Sequence, residues 1–163
     1  GMLGTTMNAL ALGDAFKQLE QDVRVQTGVE MRQIAEYYIK DRAIKHLSKN
    51  RVVVFGCGTG SPFFSTDTAA ALRAAEVGAE AVLKATNVDG IYTKDPKKYD
   101  DAEKIDRITY MEVLKQKLNV MDTTATSLCM DNEIPIIVFD INEKGNLKKL
   151  IDGKKIGTLV END

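Results

Sequence analysis

Apolar positions along the chain switch between two spacings. From Met2 to about Glu20 they fall at Met7, Leu10, Ala11, Ala15 and Leu19, which predicts an amphipathic helix. Val23–Thr27 reads as a short strand, followed by helical patterns over Glu30–Tyr38 and Asp41–Leu47. Arg51–Phe55 is a β-branched run that predicts a strand. An alanine-rich helix comes next, with Thr66 or Asp67 placed to cap it. Ala81–Leu83 is a further strand, and Asn87-Val88-Asp89-Gly90 is a turn signal. Beyond a polar segment from Pro96 to Asp106, Met111–Leu118 and Met121–Asp131 are helical in pattern. Ile134–Ile141 is almost continuously apolar, as expected of a strand covered on both faces. Gly145 precedes a short helix at Asn146–Ile151, and Gly157–Val160 closes the series as a strand.

Strands alternating with helices predict one α/β domain over residues 1–163, a three-layer α/β/α sandwich around a mainly parallel sheet. No internal repeat, low-complexity run or linker interrupts it. Gly1-Met2 leads directly into a helix, which suits either a start codon behind an extra glycine or the middle of a longer chain.

Composition narrows the function. An apolar content of 44% supports a sizeable core. The 22 basic and 24 acidic residues leave a formal charge of −2, spread evenly, so no nucleic-acid or membrane footprint is expected. Cys57 and Cys129 lie far apart, which favours free thiols in a reducing cytoplasm. With His46 as the only histidine, a histidine-based triad or zinc site is not expected, and His46 itself reads as exposed near a helix end. Met111, Met121 and Met130 read as packing residues. Lys148, Lys149, Lys154 and Lys155 read as a solvated face.

The chemistry concentrates between the Arg51–Phe55 strand and the helix after it. Gly56, Gly58 and Gly60 let the backbone approach a ligand, and Thr59, Ser61, Ser65, Thr66 and Thr68 add hydroxyls beside a helix start, where unpaired N–H groups attract anions. The bland alternative is a tight strand-to-helix connection. The loop is not a Walker A sequence, because no lysine follows the last glycine. Asp67 is either a cap worth ~1 kcal/mol or a functional acid, and in the second case a lysine or metal ion must offset its repulsion of phosphate. Lys84, at a strand end, suits that neutralising role, although surface lysines are common. In the same downstream segment Tyr92 can stack on a base or pack its loop, and Asp95 before Pro96 can simply initiate a turn. Asp122 reads as a helix cap or first-turn acid.

Three stretches together carry a resemblance: Thr59-Gly60-Ser61-Pro62-Phe63-Phe64-Ser65-Thr66-Asp67-Thr68, Lys84-Ala85-Thr86-Asn87-Val88-Asp89-Gly90-Ile91-Tyr92-Thr93-Lys94-Asp95-Pro96, and Val120-Met121-Asp122. With Ile134–Phe139 and the opening Gly1–Leu12, they resemble the bacterial uridylate kinases of the amino acid kinase superfamily, in register along the whole chain. The resemblance implies phosphoryl transfer from ATP to UMP with magnesium, giving UDP for pyrimidine nucleotide biosynthesis. It implies that Thr59, Gly60, Ser61, Pro62, Phe63, Phe64, Ser65 and Thr66 hold UMP. Thr86, Tyr92 and Asp95 would then lie at the ATP site, and Asp67, with Lys84 beside it, in the catalytic centre. No protein metal ligand is implied. A hexameric assembly, GTP and UTP as effectors, and a cytoplasmic location go with the family. The family pattern also has a lysine-bearing first loop and a glycine-rich loop ahead of the position of Gly1, so the chain matches its carboxyl-terminal two-thirds, and a polypeptide without those loops is expected to lose most of the rate. Two other readings stay open: an inactive nucleotide-binding or assembly module, and a superfamily kinase acting on an amino acid.

Overall fold

The computed structural model describes residues Gly1–Asp163, and the predicted alternation resolves into two units, Gly1–Val77 and Gly78–Asp163. The first holds α1 (Met2–Gln18), β1 (Val23–Thr27), β2 (Glu36–Tyr37), α2 (Lys40–Leu47), β3 (Val52–Gly56) and α3 (Thr66–Val77). Its sheet is all parallel, in the order β2-β1-β3, with Val23 opposite Val52 and Thr27 opposite Gly56. Small residues on one side of α1 let it sit close to this sheet. A Cβ on Gly13 would lie 2.7 Å from Val25 Cγ2, and one on Gly56 would lie 3.0 Å from Ala9 Cβ. Thr6 is buried there too, with its hydroxyl donating to the Met2 carbonyl at 3.1 Å.

One predicted helix does not form. Over Glu30–Tyr38 there is a single turn, with the Ile34 and Ala35 N–H groups both reaching Met31 O, and then β2 pairs with β1 at Gln26–Glu36. The open edge of β1 offers backbone hydrogen bonds that outcompete a weak local helical preference. His46 is likewise not exposed. Its side chain is 15% accessible, and Nε2 lies 2.9 Å from Glu36 Oε2 in the last turn of α2.

The second unit contains β4 (Val82–Thr86), β5 (Ile91–Tyr92), β6 (Lys104–Ile105), β7 (Arg107–Thr109), α4 (Tyr110–Gln116), α5 (Thr123–Asp131), β8 (Ile136–Asp140), α6 (Asn146–Ile151) and β9 (Thr158–Glu161). Its main sheet runs β4-β8-β9-β7, parallel at β4–β8 and β7–β9 and antiparallel at β8–β9. Within the polar segment, β6 pairs antiparallel with β5. Ile136, Val138, Phe139, Tyr110, Cys129 and Val160 make the core. Ile137 is only half-buried, so the apolar β8 run is not covered equally on its two faces. Asp122 caps α5 through the Ala125 N–H at 2.9 Å, and Thr109 and Glu112 form a reciprocal capping box on α4. Both cysteines are free and buried. Met121 is buried, whereas Met111 is half-exposed and does not pack. No helix is long and apolar enough to cross a membrane.

Candidate functional site

Because β1 and β3 are parallel, the loops that follow them emerge side by side. Their backbones touch: the Gly28 N–H donates to Gly56 O at 3.2 Å, and a Cβ on Gly60 would fall 2.3 Å from Gly28 O. Gly60 is therefore required twice over, by that approach and by its φ of +81°. Gly58 has φ +58° but open space around it, and Cys57 and Phe63 also adopt positive φ. The chain thus reverses sharply at the end of β3 before entering α3. Gly28 is a site-shaping residue that the sequence reading passed over. A glycine just after a strand is its only sequence signal.

The residue that caps α3 is Ser65, rather than Thr66 or Asp67. Its Oγ accepts from the Thr68 N–H at 3.0 Å, and its carbonyl accepts from Ala69 N at 3.1 Å. Asp67 lies half-buried in the first helical turn, where the helix dipole favours a carboxylate. In front of this helix start lies an open cleft of about 360 Å³, lined by Gly58, Thr59, Ser61–Thr66 and, from the start of α1, Gly1, Met2 and Thr5. The start of α3 therefore faces this cleft, the arrangement that suits an anionic group. Its wall is partly aromatic: Phe63 is fully exposed and Phe64 is 56% exposed. Thr5 fixes the loop's root, its Oγ1 accepting from the Cys57 N–H at 3.0 Å.

The second unit has a separate cleft of about 550 Å³ at the carboxyl end of β4. Lys84, Thr86, Tyr92 and Asp95 all line it, so four residues singled out from the sequence come together there. Lys84 and Val138 are register partners, and Lys84 is half-buried on the same side of β4 as the buried Val82. The Tyr92 hydroxyl donates to Asp89 Oδ1 at 2.9 Å, and this bond raises the phenol's pKa. Burial pushes the Asp89 carboxyl up, but Tyr92 and Lys104, the latter 3.2 Å away, outweigh it and hold the carboxyl below its ordinary value. Asp95 opens a turn by accepting from the Lys97 N–H at 3.0 Å. Lys117–Val120 also line the cleft, and Lys117 takes the left-handed conformation that ends α4. Nothing in their spacing marks them as site residues.

The sequence pattern of the amino acid kinase family matches residues 1–140. The chain belongs to the amino acid kinase family. Within that family it is 58% identical, over its whole length, to the uridylate kinase of Pediococcus pentosaceus, of which it covers 68%. Its fold superposes on the UMP kinase of Bacillus anthracis with a TM-score of 0.97 at 37% identity, covering 100% of this chain and 68% of that one. The UMP kinase of Ureaplasma parvum follows at 0.94 and 35%, covering 99% and 69%. The α/β fold of this kinase family is thus present, and the chain spans about two-thirds of the length of the relatives it matches.

Proposed function

We propose that this amino acid kinase family chain acts as a uridylate kinase, with the glycine-hydroxyl loop seating UMP and the β4-end cleft seating ATP. The observation that supports this reading best is the sorting of the motif. Thr59–Thr66 lie on a backbone-defined loop in front of a helix start, while Lys84, Thr86, Tyr92 and Asp95 share one lined cleft. A phosphate oxygen of UMP attacks the γ-phosphorus of ATP, the bond to the β-phosphate oxygen breaks, and UDP and ADP leave. No covalent enzyme intermediate is required, so the protein's part is positioning and charge neutralisation. Thr59, Ser61, Ser65 and Thr66 offer hydroxyls to UMP, and Phe63 and Phe64 supply apolar faces. Thr86, Tyr92 and Asp95 hold ATP, and Lys84 offsets phosphate charge.

Magnesium fits as a passenger on the ATP phosphates. The β4-end cleft carries a carboxylate, Asp95, and several hydroxyls, a donor set suited to a mostly hydrated ion that keeps its phosphate ligands. Asp95 and the neighbouring hydroxyls would hold the ion there, and it would supply neutralisation of phosphate charge. Asp67 orients charged groups around the transferred phosphoryl.

A coupled assay for UDP formation from UMP and Mg-ATP tests the reading. Asp67→Asn is expected to lower kcat by about a hundredfold, the size of losing one electrostatic group, and to leave the Kd for UMP within about threefold. Normal turnover in that variant would reduce Asp67 to a first-turn acid. Stabilisation by an amino acid but not by UMP would move the substrate class to the amino acid kinases. No turnover with UMP binding intact would point to an inactive binding module.

The same reading takes the protein to be cytoplasmic, a homo-oligomer, hexameric in its full assembly, with GTP and UTP as effectors. The oligomer is supported by α1, which has apolar side chains on its solvent side as well as its buried side.

A further inference from the structure

Arg73 lies in the alanine-rich part of α3, yet its side chain is only 10% exposed. One guanidinium nitrogen, Nη1, is 2.6 Å from Glu76 Oε2, and Nη2 is 3.5 Å from the carbonyl oxygen of Gly58. The guanidinium lies over the Tyr38 ring, with Cζ 3.6 Å from the ring centroid. Tyr38 in turn donates its hydroxyl to the same Glu76 oxygen at 2.6 Å and meets Phe55 of β3 edge-on at 5.6 Å. A buried cation is retained only where such partners hold it. Here the partners join α3, the residue after β2, the end of β3 and the glycine loop.

The loop's own donors show what this linkage acts on. The Cys57 N–H goes to Thr5 Oγ1, Gly60's to Cys57 O and Ser61's to Thr59 Oγ1. The N–H groups of Gly58 and Thr59 have no acceptor within the protein, and both residues line the cleft. Since a trans peptide sets its C=O and N–H on opposite sides, a Gly58 carbonyl turned to Arg73 directs the Thr59 N–H away from it.

We propose that Arg73 is a positioning residue for UMP: it holds the Gly58–Thr59 peptide with its N–H turned outward, where an oxygen of UMP accepts it. The inference rests on the reading of this loop as the UMP site. Tyr38 and Glu76 are the clamp that keeps the guanidinium at that carbonyl. A lysine has one charged head and no planar fork, so it cannot serve Glu76, the Tyr38 face and Gly58 O together.

Steady-state kinetics of the full-length protein test the proposal. In Arg73→Lys, KM for UMP rises about tenfold, the effect of one charge-assisted hydrogen bond, while kcat and KM for ATP stay within about twofold. Tyr38→Phe, which keeps the ring under the guanidinium, leaves KM for UMP within about twofold. Tyr38→Leu removes the ring with the loop sequence untouched. It raises KM for UMP severalfold and serves if the Arg73 variant fails to fold. A KM for UMP within twofold of wild type in both Arg73→Lys and Tyr38→Leu overturns the proposal, as does a loss shared equally with ATP. Wild-type protein that does not phosphorylate UMP would instead overturn the functional reading itself.

Discussion

Tyr38 carries a titration that reports on the clamp around it. Burial pushes its phenol up to about 12, and the hydrogen bond and negative charge of Glu76 push the same way against the opposing Arg73. The unfolded phenol titrates near 10. Between pH 10 and about 12 the folded protein therefore keeps a proton that the unfolded chain has lost. Stability contributed by Tyr38 is fully present below pH 10 and declines as pH rises through that window. The Cys129 thiol, raised by burial to about 11, adds a similar decline starting near pH 9, so the wild-type curve alone cannot isolate Tyr38. The expected outcome is a difference. Thermal unfolding of Tyr38→Phe should fall less steeply from pH 10 to 12 than that of wild type, and parallel curves would mean that the phenol titrates normally. None of this is legible from Tyr38 or Arg73 in the sequence, because helical periodicity places Arg73 on a helix but does not say which cation is buried.

At the scale of elements, the glycine loop allows a direct comparison of two causes. Gly58 and Gly60 both have positive φ, but only Gly60 abuts backbone, with Gly28 O at 2.3 Å from the place of a Cβ. Gly58→Ala should cost about 1–2 kcal/mol, the penalty of a left-handed side chain. Gly60→Ala adds a clash with rigid backbone that only a shift of the β1 or β3 loop relieves. It should cost at least about 3 kcal/mol and abolish UMP binding. Chemical denaturation midpoints measured side by side decide this, and equal losses would show that conformation rather than contact governs the loop. The element pattern itself was largely readable in advance. The strands β3 and β8 contain β-branched runs, β1 alternates β-branched with polar residues, β4 opens on apolar Val82-Leu83, and α1, α3 and α5 have helical spacing, so burial and propensity point the same way. The misses are elements set by partners. β2 exists because β1 has an open edge, and β5, β6 and β7 are two or three residues long, too short to show a period. The α3 cap is misplaced by one residue for the same reason: Ser65, Thr66 and Asp67 are all good capping residues, and only the loop's path selects among them. The two clefts were readable as loops after strands, and Gly28 and Lys117–Asn119 were not, because backbone contact and loop backing leave no chemical signature.

For the whole molecule, the unresolved demand is the solvent side of α1. Its inner face uses Thr6, Ala9 and Gly13 against the sheet, while Leu3 at 70% and Met7 at 71% exposure, with Leu12 and Leu19, point outward. Gly4, Ala11 and Ala15 lie among them and are also exposed, so this face is largely apolar over about four turns, broken by Asn8, Asp14 and Gln18. Large apolar side chains exposed opposite a buried face ordinarily mark a second contact, and the small residues among them allow another helix to approach closely. In a two-fold symmetric contact each side chain is used twice, so burying Leu3 and Met7 from both copies withdraws four large side chains from water, at roughly 1.5–3 kcal/mol for each one fully covered. Replacing Met7 with glutamate places two like charges in that contact and removes two apolar groups, yet touches nothing in the core. Met7→Glu should therefore lower the molar mass seen by light scattering to that of a smaller species while the far-ultraviolet circular dichroism stays unchanged. An assembly of undiminished mass would assign the subunit contact to another surface.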